Sequence, residues 1–350
     1  MDRYSHILGC ILGAAVGDAA GLRREGLSRR RAARLYGVDA VRPELIFGKG
    51  FCSDDTEHTL LAAYSLARTG CQPQEFEREF AQQLKRWIAT APVGVGFATL
   101  KACLRLLVGF GPAHSGVRSA GNGPAMRSAI LGVVASSTEA LIALNRCSTR
   151  LTHTDPRAEE GALLVARAAR LTIDGNQQTP LELLHAASQD ATGDELRRRI
   201  ANAVAALERG ESPQEFADSQ DWIGGVTGYV NQSVPAALYC WASSPTDMRA
   251  CVTNAVLLGG DTDSVASIAG AICGANIGVE GVPGDWVARL SEWPRTTEWM
   301  ATLARSLDEA AASHSPAQTP SLRWTATLGR NLVVAAVVIE LALRRLLPPY

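Results

Sequence analysis

The chain reads as a succession of helices. Ile7, Leu8, Ile11, Leu12, Ala15 and Val16 make an apolar stripe at helical spacing, and Gly9, Gly13 and Gly17 recur at intervals of four on another face. The same design returns after residue 262. There Val265, Ile268, Ala269, Ile272 and Ala275 form the stripe, and Gly270, Gly274 and Gly278 the bare face. A face without side chains lets another backbone come close. Further helices are expected over Leu60–Ala67, Gln72–Ile88, Leu100–Leu107, Met126–Ala135, Arg157–Leu171, 181–190, 194–209, Val234–Trp241, Pro245–Leu258, Trp286–Leu290 and Thr296–Leu307. Leu22–Gly50 is basic and broken by Gly and Pro, and reads mainly as loop, as does Gly175–Pro180. Residues 311–322 are Ser/Pro/Ala-rich and read as a flexible loop. The run Val333–Ile339 would suit a strand, but its unbroken continuation to Leu347 argues for a buried C-terminal helix over 331–347. Strand–helix alternation, a fixed-period repeat, a phosphate-binding P-loop and a dinucleotide fingerprint after a strand are all missing.

Polar residues gather where helices begin. Ser53-Asp54-Asp55-Thr56 opens one apolar helix and Gly259-Gly260-Asp261-Thr262-Asp263-Ser264 another. Capping alone explains one acidic residue at a helix start, and Asp54 with Glu57 fits a capping box. Two aspartates in one start repel each other unless a cation or proton intervenes, and this happens twice. Carboxylate and hydroxyl oxygens suit hard divalent ions. An EF-hand is excluded, because Val265 stands at the third ligand position. Gly94-Val95-Gly96 and Ser119-Ala120-Gly121-Asn122-Gly123-Pro124 are glycine-rich helix starts whose N–H groups would suit a diphosphate; loop geometry explains them equally well. Asp155 and Pro156 cap the next helix, with His153 just before it. Glu25 lies in a segment able to move. If the polar sites near 18, 54, 122, 153 and 262 meet, the chain closes on itself as one domain.

Composition narrows the class. The 350 residues are 47% hydrophobic and 20% charged, enough for a large core, and the formal net charge of −1 offers no field to recruit nucleic acid or anionic membrane. The short runs Arg29–Arg31 and Arg197–Arg199 read as solvated surface. Eight scattered cysteines without a C-x-x-C pair suggest reduced, mostly buried thiols and a cytoplasmic protein; Cys52, beside Ser53, is a nucleophile candidate outweighed by core packing. The N-terminal apolar segment is interrupted by glycine and Asp18, unlike a signal peptide, and the twelve-residue run Leu332–Leu343 is short for a bilayer.

Taken in order, Gly17-Asp18-Ala19-Ala20-Gly21, Ser53-Asp54-Asp55-Thr56-Glu57, Gly121-Asn122-Gly123-Pro124-Ala125-Met126-Arg127, Thr152-His153 and Gly259–Ser264 resemble the ADP-ribosylglycohydrolase family. Glu292-Trp293-Pro294-Arg295 and the tail ending Arg344-Arg345-Leu346-Leu347 resemble its bacterial members. The resemblance implies an all-α, orthogonally packed bundle, a single domain over 1–350, with two Mg²⁺ or Mn²⁺ ions in a central cleft. One ion would take Ser53, Asp54, Asp55 and Asp263. The other would take Asp261, Asp263 and Ser264. Asp54, Asp55 and the mobile Glu25 would be catalytic; Gly94, Val95, Gly96, Ser119, Gly121, Asn122, Gly123 and His153 would bind substrate. The implied reaction cleaves ADP-ribose from a protein side chain or a small conjugate, by a monomer that binds neither membrane nor nucleic acid generally. Ser53 and Ser264 replace the more usual Thr and keep the hydroxyl; Ala120 replaces a frequent aromatic. The competing classes are a catalytically silent ADP-ribose-binding module, a two-metal phosphohydrolase of a nucleotide-sugar, and a structural protein like the crystallin relatives.

Overall fold

The computed structural model describes residues 1–38, 41–173 and 179–345. These are organised around two antiparallel helices, Arg3–Gly21 and Thr262–Gly281, whose glycine faces are each other's partners. A Cβ built on Gly9 would lie 2.2 Å from the Gly274 carbonyl oxygen, one on Gly13 2.1 Å from that of Gly270, and one on Gly17 2.1 Å from that of Ala266. At the end of the row, a Cβ on Gly21 would meet the Thr262 carbonyl oxygen at 2.4 Å. The two backbones therefore touch along four turns. The His6 ring lies 2.6 Å from the Ala275 carbonyl oxygen, and the Thr262 hydroxyl donates to Gly21. This contact carries Asp18 to Asp263. The second helix stops at Gly278, where φ is +69°, and a kinked last turn follows.

Around this pair the fold is all-α. Among the described residues there is no strand, only isolated bridges such as Leu27 with Gly260 and Val226 with Gly260. Helix Asp54–Arg68 packs on the first helix and on Thr297–Ser313, and helix Pro156–Leu171 packs on Val230–Ser243. One apolar cluster runs through them from Ile7 to Leu322.

Several expectations change. Leu22–Gly50 is mainly loop, as expected, but a 3₁₀ turn at Leu22–Arg24 and a helix at Arg29–Tyr36 lie within it. That helix begins Arg-Arg-Arg and buries only Ala32, so it has no apolar stripe to be read. Met126–Ala135 divides into a 3₁₀ turn, Ala125–Arg127, and a helix, Ala129–Val134. Helices Thr138–Arg150 and Pro213–Ser219 are additional, each capped by a serine side chain that accepts a backbone N–H. In 311–322, helix Thr297–Ser313 continues past the expected boundary, and Ser306 donates to Gln318, Trp299 to Ser321 and Ala317 to Ala67. The expected loop Gly175–Pro180 lies for the most part outside the described residues, as do positions 346 and 347 of the expected last helix. That helix runs Trp324–Arg344 and is largely exposed: only Thr327, Arg330, Asn331 and Val334 are buried. Among the described residues, two helices are long and apolar enough to cross a membrane, Arg3–Arg24 and Trp324–Arg344. The first is enclosed in the core, and the second is fastened to the protein by Arg330 and Asn331.

Candidate metal centre and substrate cleft

Two helix starts 209 positions apart meet at one hydrogen bond: the Ser264 hydroxyl donates to Asp55 Oδ2 at 3.1 Å. The Ser53 hydroxyl donates to the same oxygen at 3.0 Å. Asp18, Asp55 and Asp263 each bring a carboxylate oxygen into a group whose members lie within 4.8 Å of one another, and all three are buried. The other oxygen of Asp55, Oδ1, is buried and has no hydrogen-bond partner. A buried acceptor left open among like charges is what a cation site requires, because an unsatisfied buried polar atom costs about 1–3 kcal/mol.

Each carboxylate has a local reason for its position. Asp18 sits near the end of the first helix and faces the start of Asp54–Arg68. It accepts from the Ser53 N–H at 2.9 Å, the Thr56 N–H at 3.1 Å and the Thr56 hydroxyl at 2.5 Å. It thus caps another helix from outside, replacing the solvent its donors would need. Asp54 lies beside Gly94, where a Cβ would come 2.7 Å from Asp54 Oδ1; φ there is +89°, so glycine is required twice over. Asp261 accepts from Asn122 Nδ2 at 2.7 Å. Its backbone is set by Gly259 and Gly260, both at positive φ; a Cβ on Gly260 would fall 2.0 Å from the Val226 carbonyl oxygen. Asp263 accepts from the Ser264 N–H at 3.0 Å. Behind this floor, Glu57 takes the Trp87 indole N–H at 2.7 Å and the Arg295 guanidinium at 2.8 Å. Glu292 takes the Cys52 N–H at 2.6 Å. The Glu292–Arg295 segment therefore braces the first acidic helix.

Burial raises Asp18, Glu25, Asp54, Asp55, Asp261 and Asp263, and neighbouring carboxylates raise Glu25, Asp54, Asp55 and Asp263 further. Asp54 is held well above the ordinary carboxylate range by burial, then by Asp55 and Asp18; Asp55 by burial, Asp18 and Asp261; Asp263 by burial, Glu25 and Asp55. Burial raises Asp261 against its bond from Asn122. Asp18 is pushed up to about 6 by burial, opposed by its donors from Thr56 and Ser53. Glu25 is pushed up to about 7 by burial and by Asp261 and Asp18.

Above the carboxylates opens a cleft of about 890 Å³. Of the residues singled out from sequence, Glu25, Asp54, Asp55, Gly94, Gly96, Ser119, Gly121, Asn122, Gly123, His153, Asp261, Asp263 and Ser264 line it. Ser53 lies buried beneath, and Val95 packs against the core instead of facing the cleft. Asp18, one of the polar sites and motif residues of the sequence, lies buried with Asp55 and Asp263 and does not line the cleft. Three kinds of wall residue were not singled out from sequence. Val226, Thr227 and Gly228 line the side, in a stretch read only as a glycine-rich approach. Lys101, Arg105 and Arg118 put positive charge on the walls. Phe97 lines the cleft while 79% exposed.

His153 lies under the second glycine-rich loop: Cβ atoms on Gly121 and Gly123 would meet its ring at 3.2 and 3.0 Å. Its Nδ1 is 2.9 Å from the Thr152 hydroxyl, which takes a bond from Arg127 at 2.8 Å. Burial and Arg127 lower His153 to about 3, so the ring is neutral at physiological pH. Arg127 is wholly buried. It contacts His58 and donates to Gly123, to the Ser148 hydroxyl and carbonyl, and to Thr152. Arg127→Ala strands these acceptors, so we expect a loss of about 3 kcal/mol or more, read by chemical denaturation.

The chain as a whole is similar to known proteins. The family profile described as ADP-ribosylglycohydrolase matches residues 1–317. An uncharacterised protein of Archaeoglobus fulgidus is 32% identical over 86% of this chain and 95% of its own. The mouse ADP-ribosylhydrolase ARH3 is 27% identical over 88% and 93%. The ADP-ribosyl-[dinitrogen reductase] glycohydrolase of Rhodospirillum rubrum is 26% identical over 82% and 90%. A solved structure titled ADP-ribosylglycohydrolase-related protein complex superposes with a TM-score of 0.68 at 29% identity, covering 89% of this chain and 99% of that one. The profile reaches from Asp18 through Asp263 and the matched relatives are covered almost end to end, so the chain belongs to the ADP-ribosylglycohydrolase family.

Proposed function

We propose that this protein is a divalent-cation-dependent hydrolase that cleaves the glycosidic bond between ADP-ribose and an acceptor, either a protein side chain or a small conjugate. The observation that carries the reading is the convergence of Asp55, Asp263 and Ser264, with one buried oxygen of Asp55 unpartnered, at the floor of a large cleft. The open oxygen and the crowded negative charge fit Mg²⁺ or Mn²⁺. Ser53, Asp54, Asp55, Asp261, Asp263 and Ser264 would hold two such ions. When bound they would supply positive charge to the ribose hydroxyls and make a water more acidic.

The chain's own charges orient the substrate. ADP-ribose carries an anionic diphosphate and a neutral distal ribose. The diphosphate is drawn to Lys101, Arg105 and Arg118 and to the glycine-rich loops at 94–96 and 119–123. The distal ribose is left over the acidic floor. His153, neutral, offers the loop a hydrogen-bonding ring without charge. Cleavage of the C1 bond passes through an oxocarbenium-like state, which negative side chains nearby favour. Asp54 or Asp55 takes the proton of the attacking water, and Glu25 closes the cleft from the 22–27 segment. Free cysteines, most of them buried, fit a cytoplasmic protein.

The test is to incubate purified protein with Arg- and Ser-ADP-ribosylated substrates in Mg²⁺, Mn²⁺ or chelator and identify products by mass spectrometry. We expect free ADP-ribose with cation and at least about a hundredfold less with chelator. Release of phosphate or AMP would make it a phosphohydrolase. Tight ADP-ribose binding without release would make it a silent binding module.

A further inference from the structure

The last helix lies beyond the region that the family profile matches, yet it reaches both the chain entering the first acidic helix and the segment that carries Glu25. At its beginning, buried Arg330 donates to the Cys52 carbonyl at 2.6 Å and to Glu292 at 2.6 Å. Asn331 donates to the Thr90 carbonyl and hydroxyl at 3.1 Å. Cys52 is the residue before Ser53, so this end grips the chain where it enters the first acidic helix. At the other end, the Arg345 guanidinium donates to the Glu25 carbonyl at 3.1 Å and to the Arg23 carbonyl at 2.5 Å. Arg31 donates back to the Arg345 carbonyl at 2.8 Å. Fifteen residues of helix separate the two grips, a rigid distance of roughly 22 Å.

Besides Arg345, the segment is tied through Arg24, which donates to the Gly37 carbonyl at 2.9 Å and the Tyr36 carbonyl at 3.4 Å, and through Arg23, which pairs with Glu44 at 3.4 Å; Arg345 is what holds the Glu25 carbonyl. Glu25 caps a three-residue 3₁₀ turn, and Gly26 has φ +71° with open space around its Cα. Gly26 donates to the Gly260 carbonyl at 2.8 Å and accepts nothing in return; Gly260 donates to Leu27 at 2.8 Å. Those two bonds fix the far side of the segment against the second acidic loop, and Arg345 fixes the near side.

We propose that the C-terminal helix is a strut that holds residues 22–27 over the carboxylate floor, with Arg345 as a positioning residue for Glu25. A helix anchored at Cys52 and at Glu25 sets the spacing between the acidic helix start and the glutamate. Its consequence for turnover rests on the hydrolase reading; its consequence for the segment's motion does not.

The two are separated by measuring both in the full chain. Hydrogen–deuterium exchange of peptides covering 22–28 reads the segment directly. Loss of one charge-assisted hydrogen bond corresponds to about tenfold in an opening equilibrium. Arg345→Ala should therefore speed exchange there about tenfold or more, and Arg345→Lys, which keeps the charge but not the fork, should fall between. Arg344→Ala is the control, because Arg344 is exposed and pairs with Glu340 on its own helix. In cation-loaded protein, kcat should fall by a similar factor in Arg345→Ala while KM changes little, since Glu25 closes over the reacting end and not over the diphosphate. Unchanged exchange in Arg345→Ala would overturn the strut. Faster exchange with unchanged kcat would overturn the positioning role. No hydrolysis by the unaltered protein would overturn the functional reading and leave the exchange result standing.

Discussion

Asp263→Asn is expected to abolish turnover and yet raise the melting temperature of the cation-free protein. Burial opposes the ionisation of Asp18, Asp54, Asp55, Asp261, Asp263 and Glu25, and neighbouring carboxylates oppose that of Asp54, Asp55, Asp263 and Glu25 further. Without a cation this is stored repulsion, and one fewer charge relieves it. Each unit by which folding raises a carboxyl's pKa costs the cation-free fold about 1.4 kcal/mol at neutral pH. The sign on pH follows from proton binding. A carboxyl raised in the folded state binds its proton more tightly there than in the unfolded chain, so stability rises as pH falls. The window runs from above about 7, where Glu25 ionises, through about 6 for Asp18, down to the ordinary values near 4.5 and 3.8. Cation reverses both trends. At a hundred times its dissociation constant it adds about 2.7 kcal/mol to the unaltered protein. The measurement is a melting curve for each protein in chelator and in Mg²⁺, at pH 8 and pH 6. A cation-free Asp263→Asn that melts lower than the parent would show that the floor is not electrostatically strained. An Asp263→Asn that turns over normally would remove the cation mechanism.

Gly13→Ala is expected to cost about 3 kcal/mol or more, while the same change at Gly329 stabilises by about 1 kcal/mol. A Cβ on Gly13 would lie 2.1 Å from a backbone carbonyl oxygen, and no side chain can turn away to make room. The two central helices must then separate, which also draws Asp18 from Asp263. Gly329 stands in the exposed last helix with nothing within 4 Å of its Cβ, so alanine there simply removes backbone freedom. Urea unfolding of the two variants beside the parent decides it. Equal effects of the same sign would mean that the glycine row is not a contact but only a composition.

The legible part of this protein was whatever repeats within one element. Glycines at intervals of four, paired aspartates at helix starts and apolar stripes all stand in local text, and the all-α class follows from them. What stayed hidden depends on a partner distant in sequence. The two glycine rows could each be seen as bare faces, but nothing in either says that the other fills it. Asp18 could be seen as a polar site, but not as a cap of another helix, because the donors it serves belong to residues 53 and 56. Arg29–Tyr36 escaped notice because it is held by Arg29 reaching Asp218 and the Trp222 carbonyl, not by an apolar face. The apolar tail read as buried because hydropathy records a preference for cover, not whether cover is supplied.

The glycine row has a bearing on how the protein is made. The first helix is complete when residue 21 leaves the ribosome, and the surface that covers it begins 241 positions later. At about 5–20 residues per second, the wait is roughly 12–48 s. Through that interval a nascent chain carries an apolar helix whose bare backbone side lacks its mate.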